Sequence, residues 1–216
     1  MVKFYTKIIR GMDKNKNIVL HQIANHLIIN SSFLMDLSLY HGKMGIVLFF
    51  YNYAQYTGNP VYEEFAGELL DEIFEEVHDN IGIDFENGLS GIGWGILYLL
   101  KNNFIVGSPD DILEDIDKKI LEVNLLKIID LSLERGLAGI VTYLTNRLSV
   151  QYEKSCFYTD FISDLQKLVA DERLNIGFDL CSIVSLYTYS SIKRITRKSF
   201  GLYEGYAGYG FKLMAK

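Results

Sequence analysis

A short glycine-rich phrase that occurs four times limits what this chain can fold into more than any other feature. Its copies are Ser38-Leu39-Tyr40-His41-Gly42-Lys43-Met44-Gly45, Gly88-Leu89-Ser90-Gly91-Ile92-Gly93-Trp94-Gly95, Gly136-Leu137-Ala138-Gly139-Ile140 and Gly201-Leu202-Tyr203-Glu204-Gly205-Tyr206-Ala207-Gly208. The common core is a small residue, a leucine, one or two further residues and a glycine. An apolar run follows each copy: Ile46 to Phe50, Ile96 to Leu100, Ile140 to Leu144, and a short Phe211-Lys212-Leu213-Met214. The copies begin at 38, 88, 136 and 201, so the intervals are 50, 48 and 65 residues. Each interval is long enough for two helices and two turns. The expected unit is therefore a helical hairpin, one helix of which opens with a glycine turn.

The two helices of each unit differ in kind. After Gly42 the positions Met44, Ile46, Val47, Leu48, Phe49, Phe50, Tyr51 and Tyr53 leave no polar face, which predicts a helix buried on all sides. Thr57-Gly58-Asn59-Pro60 stops it, with Gly58 as a left-handed cap, Asn59 as the next N-cap and Pro60 in the first turn. The next helix has Val61, Phe65, Leu69, Ile73 and Val77 at four-residue spacing and seven carboxylates opposite, so one of its faces is wet. The alternation repeats: Gly91 to Asn102 reads as buried, Pro109 to Leu121 as amphipathic behind the N-cap Ser108, and Gly139 to Leu148 as mostly apolar. Phe161, Ile162, Leu165, Leu168 and Val169 form another stripe. Ile176 to Tyr189 is a degenerate unit, and the basic run Lys193 to Lys198 leads to the last motif. Ahead of the first motif, Asn15-Lys16-Asn17 reads as a turn and Ile18 to Ile29 as a helix carrying His21 and His26, which lack a second ligand at useful spacing. An inner ring of buried helices inside an outer ring of amphipathic ones is an α/α toroid, all-α, and residues 1–216 make one such domain.

Composition narrows the function. With 21 basic and 27 acidic residues the net charge is −6, which disfavours a phosphate backbone as partner. No stretch reaches the roughly 18 apolar residues of a membrane span, and the N-terminus has no signal-peptide core. The expectation is a soluble cytoplasmic protein in which Cys156 and Cys181, too few for a disulfide framework, are reduced.

Glycine where a buried helix begins lets neighbouring backbones approach closely, and packing alone accounts for that. If all inner helices start at one rim, however, their positive N-terminal ends converge on one pocket. The residues that would line it are Asp36, Tyr40, His41, Asp84, Glu86, Asn87, Trp94, Tyr203 and Glu204. Asp36, Asp84 and Asn87 also suit helix caps, and Trp94 suits the core. His41, inside a glycine-rich helix start, is poorly placed to be a plain core residue. His41, Glu204 and Asp84 are the expected catalytic candidates, and Tyr40, Glu86, Asn87, Trp94 and Tyr203 the expected substrate contacts.

Assembled, these motifs resemble the lanthionine synthetase C-like family, the cyclases that close thioether rings in ribosomal peptides. The resemblance covers residue 30 or so to the end. It implies an α/α toroid with a cavity at the glycine-rich rim, and a peptide substrate or a peptide-modifying enzyme as partner. Family cyclases hold zinc through one motif cysteine and a later Cys-His pair. Here Tyr203-Glu204 stands at the place of that pair, and the other motifs offer Ser90 and Ala138, so no metal and no cofactor are expected. The leading expectation is a family member that binds a peptide at the rim without the zinc site. Two alternatives remain open. One is a carboxylate-dependent enzyme of the toroid glycosidase type, drawing on Asp36, Asp84, Glu86 and Glu204. The other is a zinc cyclase with the unusual ligands Cys156, Cys181 and His41. Asp110-Asp111 reads as first-turn acids that complement a helix dipole.

Overall fold

The computed structural model describes residues 2–78, 80–150, 163 and 199–215, with side chains from Asn15 onward. Among the described residues all regular structure is helical. The helices are α1 (Val2–Ser31), α2 (Lys43–Thr57), α3 (Val61–Glu76), α4 (Leu89–Lys101), α5 (Pro109–Ile112), α6 (Glu114–Leu121), α7 (Leu137–Leu148) and α8 (Tyr206–Met214), with a 3₁₀ turn at Leu125–Lys127. The expected stripe around Phe161, the degenerate unit at Ile176 to Tyr189, the run Lys193 to Lys198 and both cysteines lie outside the described residues.

Four helices follow a glycine motif, and they pack side by side in the order α8, α2, α4, α7. The last of them in sequence thus lies against the first. As the absence of a polar face requires, α2 buries Met44, Ile46, Val47, Leu48, Phe49 and Phe50 completely. It rests on α3, α8, α4 and α1. Its aromatic residues build the centre of the core: Phe49 stacks on Tyr53 at 5.4 Å and meets Phe50 and Phe211 edge-on, while Phe50 meets Phe65 of α3 at 4.9 Å. Offset and edge-on pairs of this kind each contribute about 0.5–1.5 kcal/mol beyond their buried area. The amphipathic α3 buries Ala66, Leu69, Leu70 and Ile73 and leaves its carboxylates in water.

The cap between α2 and α3 follows its sequence signals. Gly58 has φ +68° and returns its N–H to the Ala54 carbonyl. Asn59 Oδ1 accepts from the N–H of Val61 at 3.2 Å, and Pro60 already has helical dihedrals.

Two expectations are corrected. Asn15-Lys16-Asn17 is helical, and α1 runs through it without a turn. The reason is tertiary: Asn17 Oδ1 accepts from the Tyr56 hydroxyl at 2.9 Å, and the Lys16 ammonium sits 5.2 Å from the centre of the same ring. Those contacts override weak local preferences. The helix expected over Pro109 to Leu121 is broken at the fully buried Leu113. The break lets Asp110 from α5 and Asp117 from α6 both reach Arg147 of α7. Ser108 caps α5 as expected, its side chain accepting from the Asp111 N–H.

Lys43 is a second buried cation. It opens α2 with its side chain 3 % exposed and reaches Glu72 at 2.7 Å and Glu76 at 3.4 Å on the last turns of α3. Burial would lower its pKa, but the hydrogen bond and charge of Glu72, helped by Glu76, outweigh that and raise it. This pair ties the start of a buried helix to the end of its amphipathic partner.

Candidate functional site

Each buried helix starts in the same way. The N–H of its first residue donates to a carbonyl seven residues back: Lys43 to Asp36 and Leu89 to Gly82, Leu137 to Asp130 and Tyr206 to Ser199, all at 2.8–3.0 Å. The residue just before is always glycine, in extended backbone: Gly42, Gly88, Gly136 and Gly205. A Cβ at any of the four would come within 2.3 or 2.4 Å of loop backbone. The loop folds so tightly under the helix end that no side chain fits there.

The loop acids build this turn. The Ser38 N–H donates to Asp36 Oδ1 and the Ser132 N–H to Asp130 Oδ1, both at 2.8 Å, while the Asn87 N–H donates to Asp84 Oδ1 at 2.7 Å. The bond from the Ser132 N–H holds the Asp130 carboxyl below its ordinary range. Asp36 and Asp84 thus brace the loops rather than cap the helices, whose caps are Gly42 and Gly88 with no side-chain bond.

The four loops are joined to one another through the backbone. The Tyr203 N–H donates to the Tyr40 carbonyl at 2.9 Å, the Tyr40 N–H to the Glu86 carbonyl at 3.2 Å, and the Glu86 N–H to the Glu134 carbonyl at 2.8 Å. These four residues hold equivalent places, two before the cap glycine. The residues one step nearer the glycine are His41, Asn87, Arg135 and Glu204.

Side chains complete the arrangement. Glu86, 13 % exposed, lies between two cations or donors: His41 Nε2 is 2.9 Å from its Oε1, and Arg135 Nε donates to its Oε2 at 3.0 Å. Burial alone would raise the Glu86 carboxyl. The hydrogen bonds from His41 and Arg135 more than offset it and hold the group below 4.5. An ionised carboxylate only accepts, so Nε2 of His41 carries the hydrogen and Nδ1 is the lone-pair nitrogen of the neutral ring. The Tyr203 ring stacks on Tyr40 at 5.9 Å, and His41 stands edge-on to Tyr203 at 5.3 Å.

The lowered Glu86 carboxyl has a signed consequence. Its favourable interactions are fully present above 4.5 and are lost as pH falls from there through the lower folded-state value. The ¹⁵Nε resonance of Arg135 should stay constant above that pH and move below it. A resonance that moves only near neutrality would contradict the pairing.

The other expected residues fall in different places. Tyr40 is fully buried beneath Tyr203. Trp94 is 4 % exposed, in the core between Phe85 and Tyr98. Asn87 is exposed, and Tyr203 and Glu204 are half-buried. Glu204 has φ +47°, a left-handed conformation that side chains rarely adopt and that marks functional turns more often than others. Arg135 was not among the expected residues. The leucine used to align the motifs is a loop residue in the first and fourth copies and a helix residue in the second and third. Alignment on the cap glycines instead puts Arg135 in the column of His41, Asn87 and Glu204.

The donor set decides what the rim can hold. A zinc ion needs at least three thiolate, imidazole or carboxylate ligands. Among the described residues no three His, Cys, Asp or Glu side chains converge for a metal, and Nε2 of His41 is engaged by Glu86. The described rim does not fit a family zinc ion, and no step is routed through one. Cys156 and Cys181, the other ligands of the unusual zinc set, lie outside the described residues. With its carboxyl held low, Glu86 also lacks the raised pKa that a glycosidase acid requires.

What the rim offers is an imidazole of defined orientation, a stacked tyrosine pair, a guanidinium and an ordered strip of backbone. No helix among the described residues is long and apolar enough to cross a membrane. A family model described as "Lanthionine synthetase C-like protein" matches residues 34–179, which takes in the first three loops. No curated protein and no solved structure gives a significant match.

Proposed function

Because the chain belongs to the lanthionine synthetase C-like family, we propose that the strip of four loops is the mouth of an α/α toroid and that it binds a peptide destined for, or undergoing, modification. The observation that carries this reading is the backbone chain from Tyr203 through Tyr40 and Glu86 to Glu134, which brings a C-terminal loop beside the first one. The packing of α8 against α2 supports a ring in the same way, since a closing ring must return its last inner helix to its first.

In this reading Tyr203 and Asn87 meet the peptide, and His41 is the group that exchanges a proton with a bound side chain. Glu86 orients that imidazole, as an acid partner does in other histidine bases. Arg135 holds Glu86 in place, and Glu204 and Asp84 are the further rim carboxylates presented to the substrate. The partner is then a peptide, or the enzyme that delivers it.

The test is fluorescence anisotropy with labelled peptides that carry cysteine together with serine, threonine or their dehydrated forms. Saturable binding is expected, and Tyr203→Ala and His41→Ala should each weaken it about tenfold while circular dichroism stays unchanged. Binding that does not saturate, or that both variants leave intact, would overturn the proposal.

A further inference from the structure

At the ends of α2 and α4 opposite the glycine loops lies a cleft of about 360 Å³. The length of α2 puts it about 20 Å from the rim. Tyr51 and Phe104 line it with their rings, whose centres are 5.4 Å apart. Among the described residues Glu63 of α3 is the one charged group that lines it, and Gln55, Asn102 and Asn103 supply amides.

The surroundings of the cleft favour a positive ligand. Glu63 is exposed and makes no ion pair among the described residues. The nearby ammonium groups are engaged elsewhere: Lys101 donates to Asn146 of α7 at 2.8 Å, and Lys16 sits over Tyr56. Helix α2 has no basic residue in its last turn, and past Gly58 the next N–H, of Asn59, goes to the Thr57 hydroxyl instead of the helix. The last carbonyls of α2 thus keep the negative end of the helix dipole uncompensated. An anion finds no such counterpart, because the first N–H groups of α3 already bond to Asn59 and Pro60.

Tyr51 is the second, independent observation. It is 5 % exposed, and its hydroxyl hydrogen-bonds to nothing among the described residues. That hydroxyl lies beside Gly67 of α3, with Glu63 one turn before and Asp71 one turn after. Burial, and then the charges of these two carboxylates, raises the phenol above its ordinary pKa. A nearly buried polar group without a partner costs free energy, and a ligand that donates to it recovers that cost.

We propose that this cleft binds a primary alkylammonium group, which donates to the Tyr51 hydroxyl oxygen and the Glu63 carboxylate while its alkyl stem lies along Phe104. The amide oxygens accept its remaining N–H groups, and the ring faces add a cation–π attraction. The ammonium arrives on a free amine or on a lysine side chain, and its chemistry is the same on both. The inference stands apart from the rim reading, because none of its residues belongs to the four loops.

The test is calorimetric titration of the full chain with cadaverine, a linear diamine, with its neutral counterpart pentanediol, with its anionic counterpart glutarate, and with Nα-acetyl-lysine amide. Cadaverine should bind saturably and at least about tenfold more tightly than pentanediol, and glutarate should not bind. Glu63→Gln should weaken cadaverine about tenfold. Tyr51→Phe removes only the unbonded hydroxyl and should weaken it about threefold at an unchanged melting temperature. Glu64→Gln, beside Glu63 but outside the cleft, should change nothing. Acetyl-lysine amide that binds as well as cadaverine assigns the site to lysine side chains, and cadaverine binding alone assigns it to free amines; either result supports the proposal. Equal binding of cadaverine and pentanediol would overturn it. So would equal effects of the two glutamine substitutions, undiminished binding to both cleft variants, or no saturable binding of either amine.

Discussion

Replacing Asp117 with alanine is expected to lower stability by about 3–5 kcal/mol. Arg147 is almost wholly buried, and its Nε donates to Asp117 Oδ2 at 2.9 Å while its Nη2 donates to Asp110. The second oxygen of Asp117 accepts from the buried Tyr143 hydroxyl. Truncation leaves a guanidinium and a hydroxyl inside the protein without their shared acceptor. Water cannot readily replace it, and Asp110 is left to offset the desolvation of the buried cation without its second carboxylate. For a chain of this length the melting temperature should fall by roughly 10 °C or more, as measured by differential scanning calorimetry. Lys118→Ala is the control. It breaks the 2.7 Å bridge to Glu114, whose partners are both about 60 % exposed, and should leave the melting temperature unchanged. Equal shifts for the two variants would show that burial is not what makes the Arg147 cluster matter.

The second large effect is expected at Gly91. An alanine Cβ there would lie 2.0 Å from the Phe85 carbonyl oxygen and 3.0 Å from Leu39 Cβ. Both obstacles belong to the interlocked loops, and the nearer one is backbone that the loop bonds hold in place. Gly91→Ala should therefore cost about 3 kcal/mol, at the upper end of overpacking effects. It should also disturb the rim by pushing the second loop away from α4. Gly58→Ala makes a useful contrast. That site has open space around it and φ +68°, so only backbone strain opposes the change, roughly 1–2 kcal/mol, and the rim should be untouched. Urea denaturation of both variants, with peptide binding measured on each, separates the two causes. A Gly91→Ala protein as stable as wild type would mean that the loops give way more easily than their hydrogen bonds indicate.

The helices were legible because their signals are local. Gly58-Asn59-Pro60 is a stop and a start written in three residues. The apolar run from Met44 to Tyr53 can only be a buried helix. Seven carboxylates on α3 mark its wet face. Other features depended on partners distant in the chain. Asn15 to Asn17 looked like a turn until Tyr56 supplied the contacts that keep it helical. Pro109 to Leu121 looked like one helix until Arg147 drew two aspartates from either side of Leu113. In the candidate site, His41 and Glu86 were both chosen from the sequence, but nothing local joins residues 45 positions apart. Arg135 was missed because the motif was aligned on its leucine.

Sequence alone determined the repeat, the two kinds of helix and the glycine at each helix start, because hydrophobic periodicity and backbone sterics act within a few residues. Only the tertiary structure decided which loop meets which. The chain from Tyr203 to Glu134 and the pairing of His41 and Arg135 on one carboxylate arise when helices distant in sequence pack side by side, and packing is set by the shapes of whole faces rather than by any one segment.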